Sequence, residues 1–395
     1  MNSRPVDVIV IGAGGSQAQA MLEGAARAGS LANWLAVDRT WQPDALQRAR
    51  RLGLAIRELD VLADRAALTE LLAEARLVAN LAGPYYRTGT VVLDAAIAAG
   101  TDYLDICDDA DVVLPMLERD AQASDRGIRA LIGMGSSPGT TNILIRAAVD
   151  HVGPVEAVDI HWTVDVDDIT DAAIRHFWHC FNLVDPDGTT HPAPAWDDLD
   201  RKEVTFPGSV GPQTVVRLAH PEPLTVPRFL PVSTSSNYGA ITPMEAFVVA
   251  WSLAYSVDAQ RIGDCRDSHA LLDNAVELFS TYRDTRPRGL RLGSGLMIDV
   301  HTDGTGLRFC SGAPTEMAEA TGVPAAAGIY LMLDGRVPHP GVFAPEALTP
   351  ADFFETLRRV SRGGGGLRTF RLSGGVEVER VRLRDIVAAP SRSPA

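Results

Sequence analysis

Short apolar segments alternate with amphipathic segments along the first 150 residues of the chain. The run Val6–Ile11 is apolar and β-branched and stops at a glycine, whereas residues 17–28 are rich in Ala, Leu and Met. Runs of the first kind predict buried strands, and segments of the second kind predict helices. Strands and helices alternate six times up to a helix predicted over residues 140–149, so we expect βαβ units on a parallel sheet.

The pattern changes after Pro154, where strands are predicted without regular helical crossovers. An alternating run over residues 155–166 predicts a long strand, and residues 185–211 are rich in Pro, Gly and Asp. The remaining strands are predicted over residues 214–218, 290–300 and 307–310, and the remaining helices over residues 244–255, 270–283, 325–333 and 350–359. Clustered strands with few crossovers favour an antiparallel sheet.

The predicted fold is α/β, with an N-terminal Rossmann domain on a doubly wound parallel sheet and a second α+β domain containing a mainly antiparallel sheet. We expect residues 1–152 to form the dinucleotide-binding domain, joined by C-terminal elements from about residues 320–395. Residues 153–319 are expected to bind the substrate and to mediate dimerisation. The ligand crevice is expected at the carboxyl ends of the parallel strands.

The composition is that of a globular protein, with 46% hydrophobic and 22% charged residues among 395. A formal net charge of -14 disfavours nucleic acids and anionic membranes as partners. No segment approaches the roughly 20 apolar residues that span a bilayer. Because Cys107, Cys180, Cys265 and Cys310 form no CxxC pair, we expect neither disulfides nor a zinc knuckle, and a cytoplasmic location.

A glycine-rich loop joins the first predicted strand to the first predicted helix. Gly12 permits a tight turn, and Gly14 lets the backbone approach a pyrophosphate at the helix N-terminus, where Ser16 and Gln17 lie. Gln17 stands where the GxGxxG fingerprint has its third glycine, and we expect the adjacent Gly15 to compensate in part. The alternative is an ordinary strand-to-helix turn, but the flanking elements favour dinucleotide binding.

Cofactor choice depends on the end of the second predicted strand. Asp38 can accept hydrogen bonds from an adenosine ribose diol and would repel the 2′-phosphate of NADP. Arg39 could pair with that phosphate or stack on adenine, or it is a solvated loop charge. The residues therefore predict NAD or NADP as the cofactor, with NAD favoured.

Three further loops follow predicted strands: LAGPYY at residues 81–86, YLDICDD at residues 103–109 and GSSPGTTN at residues 135–142. Together with GAGG at residues 12–15, their order resembles the saccharopine dehydrogenase-like family. The segments HPEPLTVPR at residues 220–228 and GVFAPE at residues 341–346 resemble its lysine 6-dehydrogenase-like branch. The likeness is dense over residues 6–150 and patchy afterwards, and Gln17 departs from the family's usual glycine.

This resemblance implies an NAD(P)-dependent oxidoreductase that transfers hydride between nicotinamide and the amine or imine of a small molecule. The implied reactions are those of a lysine 6-dehydrogenase-like enzyme or an imine reductase, and the implied assembly is a homodimer. One alternative is a saccharopine-type reductase that condenses an aldehyde or keto acid with an amino acid. Another is a catalytically silent dinucleotide-binding sensor.

The loop after the fourth predicted strand is expected to flank the cofactor through Ala82, Gly83 and Pro84. Tyr85 and Tyr86 are candidates for stacking on, or hydrogen bonding to, the cofactor or substrate, with Tyr86 a candidate catalytic residue. Alternatively, the two tyrosines are a half-buried aromatic pair with hydroxyls at the surface.

An acidic cluster follows the fifth predicted strand. Carboxylates there suit a cationic amine, so Asp105 and Asp108 are candidate proton acceptors and Asp109 a candidate substrate ligand. The alternative is helix capping by Asp108 or Asp109. Cys107 is interpreted as a small buried thiol.

Other candidate substrate ligands lie further along the chain. Backbone N–H groups around Ser137, Pro138 and Asn142 could hold a substrate carboxylate, unless Ser137 only caps a helix. Residues 220–228 are interpreted as a Pro-rich strand pair, in which an isolated His or Arg is more often structural. The family resemblance implies the alternative that Arg228 clamps a carboxylate beside Glu222 and that His220 relays a proton as a catalytic residue.

A pair of histidines, His176 and His179, is spaced as HxxH on a predicted helix. A metal site needs more than two ligands and no partner is evident from the sequence, so no metal is predicted. The pair is interpreted as structural or substrate-contacting.

Overall fold

The computed structural model describes residues 4–185, 187–191, 194–261, 268–287, 289, 292–313, 316–337, 339–363 and 366–388. Cys265, the first residues of the strand predicted over 290–300 and the end of the chain after residue 388 lie outside these ranges. The other cysteines, Cys107, Cys180 and Cys310, are buried free thiols, and for Cys107 this is the environment that was predicted. Within the described residues, no helix is both long enough and apolar enough to cross a membrane.

The first sheet is parallel throughout and has the order β13-β6-β5-β4-β1-β2-β3. Its strands are β1 (Val6–Ile11), β2 (Trp34–Asp38), β3 (Ala55–Glu58), β4 (Ala75–Asn80), β5 (Asp102–Asp105), β6 (Arg129–Leu131) and, from the far end of the chain, β13 (Gly341–Phe343). Strand order reverses beside β1, so the predicted doubly wound sheet is confirmed.

Helices cover both faces of this sheet and bury its Val-, Ile- and Leu-rich strands. They are α1 (Ser16–Ala28), α2 (Pro43–Arg51), α3 (Arg65–Leu72), α4 (Tyr85–Ala99), α5 (Ala110–Leu117), α6 (Asp120–Asp125), α12 (Met317–Leu333) and α13 (Pro350–Val360). Helix α7 (Thr140–Val152) packs instead against the second sheet. The helix predicted around residues 112–125 is interrupted, since α5 ends at Leu117 and α6 begins at Asp120.

The second sheet is mixed but mainly antiparallel, as predicted, with the order β15-β14-β12-β11-β7-β10-β9-β8. Only β7 and β10 pair in parallel among its neighbouring strands. Its strands are β7 (Val155–Asp165), β8 (Arg201–Phe206), β9 (Gly211–Arg217), β10 (Val232–Thr242), β11 (Ser294–Thr302), β12 (Thr305–Ala313), β14 (Arg368–Ser373) and β15 (Val376–Val381). The helices are α8 (Asp171–His179), α9 (Glu222–Phe229), α10 (Met244–Arg261), α11 (Ser268–Thr285) and α14 (Leu383–Val387).

The C-terminal part of the chain contributes to both sheets. α12 packs against α1 so closely that a Cβ added at Gly322 would lie 2.4 Å from the carbonyl oxygen of Gln17. Strand β13 joins the first sheet, whereas β14 and β15 extend the second. The domain boundaries drawn from the sequence stay a prediction, and the last hairpin lies with the antiparallel sheet.

The sheet register places four loops at one edge of the first sheet. Ile11 pairs with Val37 and with Asn80, and Asn80 pairs with Asp105. The segments that follow β1, β2, β4 and β5 therefore start at the same level, which forms the crevice at the carboxyl ends of the strands.

Candidate active site

The loop after β1 has the geometry that a dinucleotide pyrophosphate requires. Gly12 has φ of 73°, and a Cβ there would lie 2.7 Å from backbone atoms of Leu81 and Ala82, so only glycine fits. Gly15, Ser16 and Gln17 line the crevice, and the first turn of α1 carries no acidic side chain. The positive end of the α1 dipole thus faces the crevice, where it attracts a phosphate.

Asp38, at the end of β2, fixes the same loop from the other side. Its Oδ2 accepts the N–H of Gly14 at 2.8 Å, and its Oδ1 accepts the N–H of Arg39 at 2.7 Å. A Cβ at Gly14 would lie 3.0 Å from Oδ2, so the glycine permits this contact. Oδ1 also accepts the N–H of Thr40 at 3.4 Å, whereas Oδ2 keeps a second lone pair that could accept a ribose hydroxyl.

The loop after β4 forms the next part of the crevice. Gly83, Pro84 and Tyr85 line it, and α4 begins directly after Pro84. The buried Tyr85 hydroxyl donates to the carbonyl of Asn80 at 3.2 Å, and burial raises its pKa. Ala82 lies within this loop, where its N–H donates to Asn80 Oδ1 at 3.2 Å. Tyr85 therefore offers a ring surface to the crevice while its hydroxyl holds the loop.

A cavity of about 1250 Å³ extends from the N-terminus of α1 into the space between the two sheets. The first domain contributes Asp108 and the Ser136–Ser137–Pro138 turn to its wall. The second domain contributes an opposing wall, formed by Trp162, His176, Phe177 and His220. Residues that precede α7 and residues of α8 thus face the same space.

The acidic loop after β5 meets α8 at His176. Asp108 Oδ2 lies 2.7 Å from His176 Nε2, and Asp109 Oδ1 lies 2.8 Å from Nδ1 of the same ring. Asp109 is fully buried, and its other oxygen accepts the N–H of Tyr86 at 2.8 Å. Burial acts to lower the pKa of His176, but Asp108, Cys180 and Asp109 raise it well above its usual value. Asp109 is therefore a positioning group behind the wall, while Asp108 is on the wall itself.

Cys180 and His220 continue this cluster, with Cys180 buried behind the wall and His220 on the wall of the cavity. Cys180 Sγ lies 3.2 Å from His176 Nε2, and Nδ1 of His220 lies 3.6 Å from Glu222 Oε2. The second distance is too long for a hydrogen bond, so that contact is electrostatic. Burial opposes both charges, yet the two imidazoles lower the pKa of the Cys180 thiol, and Cys180 with Glu222 raises the pKa of His220 to about 10.

The fully buried Glu222 joins the cluster to the turn before α7. Its Oε1 accepts the hydroxyls of Ser137 at 2.5 Å and Thr141 at 2.9 Å, and its Oε2 accepts the amide of Asn237 at 3.2 Å. Burial acts to raise the pKa of Glu222, but His220 and the Ser137 hydroxyl hold it below its usual value. A continuous polar network thus runs from the Ser137 wall to Asp108.

Asp105 is corrected from a candidate proton acceptor to a structural group. It is fully buried and outside the cavity lining. Its carboxylate accepts the Tyr103 hydroxyl at 2.7 Å and the N–H groups of Cys107 at 3.0 Å and Gly133 at 2.7 Å. Burial raises its pKa to about 6. These bonds tie β5 to the segment after β6.

The prediction that backbone N–H groups before α7 hold a substrate carboxylate is also corrected. The N–H of Thr140 donates to Gly135 and that of Thr141 to Ser136, each at 3.0 Å, so these donors serve the turn itself. Asn142 accepts the N–H of Gly139 at 2.7 Å and donates to Glu346 at 2.7 Å, deep in the protein. Ser137 and Pro138 do line the cavity.

Two further candidate residues lie away from the cavity wall. Residues 222–229 are helical, where a strand pair was predicted, and Arg228 is exposed near the end of this α9 helix. Tyr86 is 38% exposed, and its ring lies 4.7 Å from that of His179, which pairs with Asp111 at 2.9 Å. The substrate clamp at Arg228 and the catalytic role of Tyr86 therefore have no support from the geometry.

Sequence reasoning missed the roles of Trp162, Phe177 and Cys180. Thr170 caps α8 by accepting the N–H of Ala173, and the apolar face of the helix then packs Phe177 against Phe181. This orientation turns His176 into the cavity. The HxxH spacing was a signal for this helix, but it gave no indication that His176 and His179 face different neighbours.

The sequence and the fold were compared with known proteins. Residues 8–131 match the family model of the saccharopine dehydrogenase NADP binding domain. A carboxyaminopropylagmatine dehydrogenase from Synechocystis sp. is 24% identical over 315 residues, which cover 72% of this chain and 77% of that protein.

Solved structures show the same fold at low identity. The saccharopine dehydrogenase (L-Glu forming) of Saccharomyces cerevisiae has a TM-score of 0.61 and 14% identity, covering 93% of this chain and 100% of that chain. The homospermidine synthase of Legionella pneumophila, solved in complex with NAD, has a TM-score of 0.60 and 11% identity, covering 96% of each chain.

The family match begins in β1 and ends in β6, so it contains the pyrophosphate loop, Asp38 and the acidic loop after β5. The prediction of NAD or NADP as the cofactor is confirmed. The predicted resemblance to the saccharopine dehydrogenase-like family is confirmed as well, since residues 8–131 match the model of its NADP-binding domain.

Proposed function

We propose that the protein is an NAD(P)-dependent dehydrogenase or reductase that transfers hydride between nicotinamide and a C–N bond of an amine or amino acid. The named relatives support this substrate class, since they are a carboxyaminopropylagmatine dehydrogenase, a saccharopine dehydrogenase and a homospermidine synthase. All three names refer to amines or to amino acids.

The observation that carries the proposal is the position of Asp108 in the cavity. One continuous space joins the N-terminus of α1, the Gly83–Pro84 turn and the Asp108 carboxylate. The N-terminus of α1 would hold the pyrophosphate of a dinucleotide, and Gly83 and Pro84 would flank the cofactor in the same space as Asp108. The half-buried Asp108 carboxylate contacts His176 on a wall of polar and aromatic residues, and it attracts an ammonium group.

The mechanism assigns separate tasks to the residues of the two walls. Asp108 holds the substrate nitrogen and takes its proton at a carboxylate oxygen, which leaves the amine neutral before oxidation. Trp162 and Phe177 pack against the carbon skeleton and exclude water. When bound, the nicotinamide accepts or delivers the hydride. Asp109 and Glu222 keep the neighbouring imidazoles in place through the contacts described above.

A saccharopine-type condensation is a second candidate because the same cavity also has a basic part. Arg358, Arg362 and Arg384 line it near α13 and α14. Arg362 pairs with Glu23 at 3.1 Å, and Arg384 lies 3.6 Å from Asp385, so both positive charges are partly compensated. A substrate with several carboxylates would be attracted by these cations, whereas a simple diamine, which has no carboxylate, would not.

Nicotinamide absorbance, followed in both directions with the purified protein, tests the proposal. One set offers lysine, other diamines, amino acids and saccharopine with NAD or NADP, and the other offers cyclic imines, or keto acids with amines, with NADH or NADPH. Turnover of an amine or imine supports the proposal, and turnover only of a keto acid with an amino acid favours the condensation. Tight dinucleotide binding without turnover in either set would contradict both reactions and favour a binding protein. The predicted homodimer is measured on the same sample by light scattering.

A further inference from the structure

We infer that His176, Cys180 and His220 are the protein ligands of a single transition-metal ion, of the Zn²⁺ type, in the wall of the cavity. The thiol sulphur and a ring nitrogen of each histidine lie within 4.8 Å of one another. In a tetrahedral zinc site, bonds of about 2.3 Å to sulphur and 2.0–2.1 Å to nitrogen separate such atoms by about 3.5 Å. The 3.2 Å between Cys180 Sγ and His176 Nε2 is close to that value.

The fold brings these ligands together from two elements. His176 lies on α8. Cys180 comes four residues later and directly follows the last residue of that helix, so both side chains face the same side. His220 precedes α9, and the N–H of its neighbour Ala219 donates to the carbonyl of Cys180 at 2.7 Å. This backbone bond holds the His220 segment against the end of α8.

A carboxylate behind the His176 imidazole determines which of its nitrogens faces the cluster. Asp109 Oδ1 contacts Nδ1 of His176 at 2.8 Å, so Nε2 faces Cys180, and this nitrogen also contacts Asp108 Oδ2 at 2.7 Å. Carboxylate–histidine–metal arrangements of this kind orient the ligands of metalloenzymes.

The burial of His220 is a second, independent indication. Its side chain is 4% exposed, and its Nδ1 has no hydrogen-bond partner although it is buried. A buried polar nitrogen without a hydrogen bond is costly, and coordination of a metal by this Nδ1 would offset that cost. Thiolate and imidazole ligands together suit Zn²⁺.

The fourth coordination position faces the cavity. His176, His220 and Asp108 all line that space, and Asp108 Oδ2 is 2.7 Å from His176 Nε2. Three protein ligands with an open position are typical of catalytic rather than structural zinc sites. No metal was predicted from the sequence because His176 and His179 were considered as the only pair of candidate ligands. The structure instead places His179 against Asp111 and Tyr86.

Metal analysis of the full-length protein tests this inference without reference to turnover. Protein that has been stripped with a chelator under reducing conditions is reconstituted with Zn²⁺, dialysed and measured by mass spectrometry. We expect one Zn²⁺ per chain, and expect Co²⁺ in its place to show the near-ultraviolet charge-transfer absorption of a cobalt–thiolate bond. Absence of stoichiometric Zn²⁺ in the wild-type protein would overturn the inference and leave the cluster as a hydrogen-bonded network.

Variants locate the ion. Cys180→Ser is expected to abolish the charge-transfer absorption, and His176→Gln and His220→Gln to abolish stoichiometric binding. Asp109→Asn is expected to weaken Zn²⁺ binding about 10- to 100-fold. His179→Gln, on the same helix, is the matched control and is expected to retain one Zn²⁺ per chain. Retention of Zn²⁺ by folded Cys180→Ser and His176→Gln would place the metal elsewhere.

The proposed function and the proposed metal site can be refuted independently of each other. Circular dichroism reports whether each variant is folded, and NADH titration reports whether the dinucleotide site is intact. If a ligand variant does not fold, the wild-type cobalt spectrum alone decides whether a thiolate binds the metal. A protein that turns over amines but binds no stoichiometric Zn²⁺ retains the proposed function and refutes the metal site.

Discussion

Replacement of Asp38 tests the dinucleotide site through a single side chain. The Asp38 carboxylate accepts the N–H groups of Gly14 at 2.8 Å and Arg39 at 2.7 Å, and it is the proposed acceptor for a hydroxyl of the adenosine ribose. Asp38→Ala removes both the ribose acceptor and the bond to Gly14. Asp38→Asn keeps an oxygen that can accept from Gly14 but removes the charge.

The expected loss follows from the bonds removed. A hydrogen bond to a charged group contributes about 1.5–3 kcal/mol, and 1.4 kcal/mol is about a tenfold change in Kd. Asp38→Ala is therefore expected to weaken NADH binding at least about tenfold. Because the 2′-phosphate no longer meets a carboxylate, Asp38→Asn is expected to lower the preference for NADH over NADPH by a similar factor.

Fluorescence titration of NADH and NADPH at constant ionic strength measures both effects. Glu58→Gln is the matched control, since Glu58 pairs with Asp38 in the sheet register and is exposed. It is expected to change neither Kd. An unchanged NADH affinity in Asp38→Ala would refute the role assigned to this carboxylate.

Three further changes test separate parts of the molecule. Asp108→Asn is expected to lower kcat at least about 100-fold with the Kd for NADH unchanged, because one proton acceptor is lost. Gly322→Ala places a Cβ 2.4 Å from the carbonyl of Gln17 and is expected to cost about 1–3 kcal/mol of unfolding free energy and to weaken NADH binding. Burial raises the pKa of Glu346 to about 7, so the folded protein binds more protons between pH 4.5 and 7 and loses stability as the pH rises through that window. Glu346→Gln is expected to remove this dependence, at most about 3 kcal/mol.

Each of these three predictions has a control variant or an outcome that would contradict it. Asp111→Asn, in the first turn of α5 and paired with His179, is expected to keep turnover, and full turnover of Asp108→Asn would contradict the proton-transfer role. Gly24→Ala lies in the same α1–α12 contact at an ordinary 3.4 Å and is expected not to lower stability in urea unfolding, because alanine favours a helix interior over glycine. A Glu346→Gln protein whose stability falls as steeply as that of the wild type between pH 6 and 7 would contradict the assignment of that titration, because the buried Asp105, with a pKa of about 6, contributes mainly below pH 6.

Most of the first domain could be predicted from the sequence because its signals are local. Apolar runs and the glycine loop lie within a few residues of each other, and the order of parallel strands follows from right-handed crossovers. The helix α9 was not predicted, since Pro223 and Pro227 suggest an interrupted segment. Pro223 lies in the first turn, where a missing N–H removes no helical bond.

The candidate site could be predicted only in part because its contacts are long-range. Spacing placed several acids at the end of β5, but it did not show that Asp105 points inward to Tyr103 while Asp108 faces the cavity. Similarly, no local pattern joins Cys180 to His220, which are brought together by a backbone bond between α8 and the segment before α9. Side-chain direction at a strand end depends on tertiary packing, which sequence periodicity does not record.

The transfer of a labelled hydride is the decisive measurement for the proposed reaction. The purified protein is supplied with an imine, or with a keto acid and an amine, together with nicotinamide cofactor deuterated at the transferring carbon. We predict a product with one deuterium on the carbon bonded to nitrogen, detected by mass spectrometry and NMR. Deuterium on a carbon not bonded to nitrogen, or no transfer to any substrate despite tight cofactor binding, would contradict hydride transfer to a C–N bond.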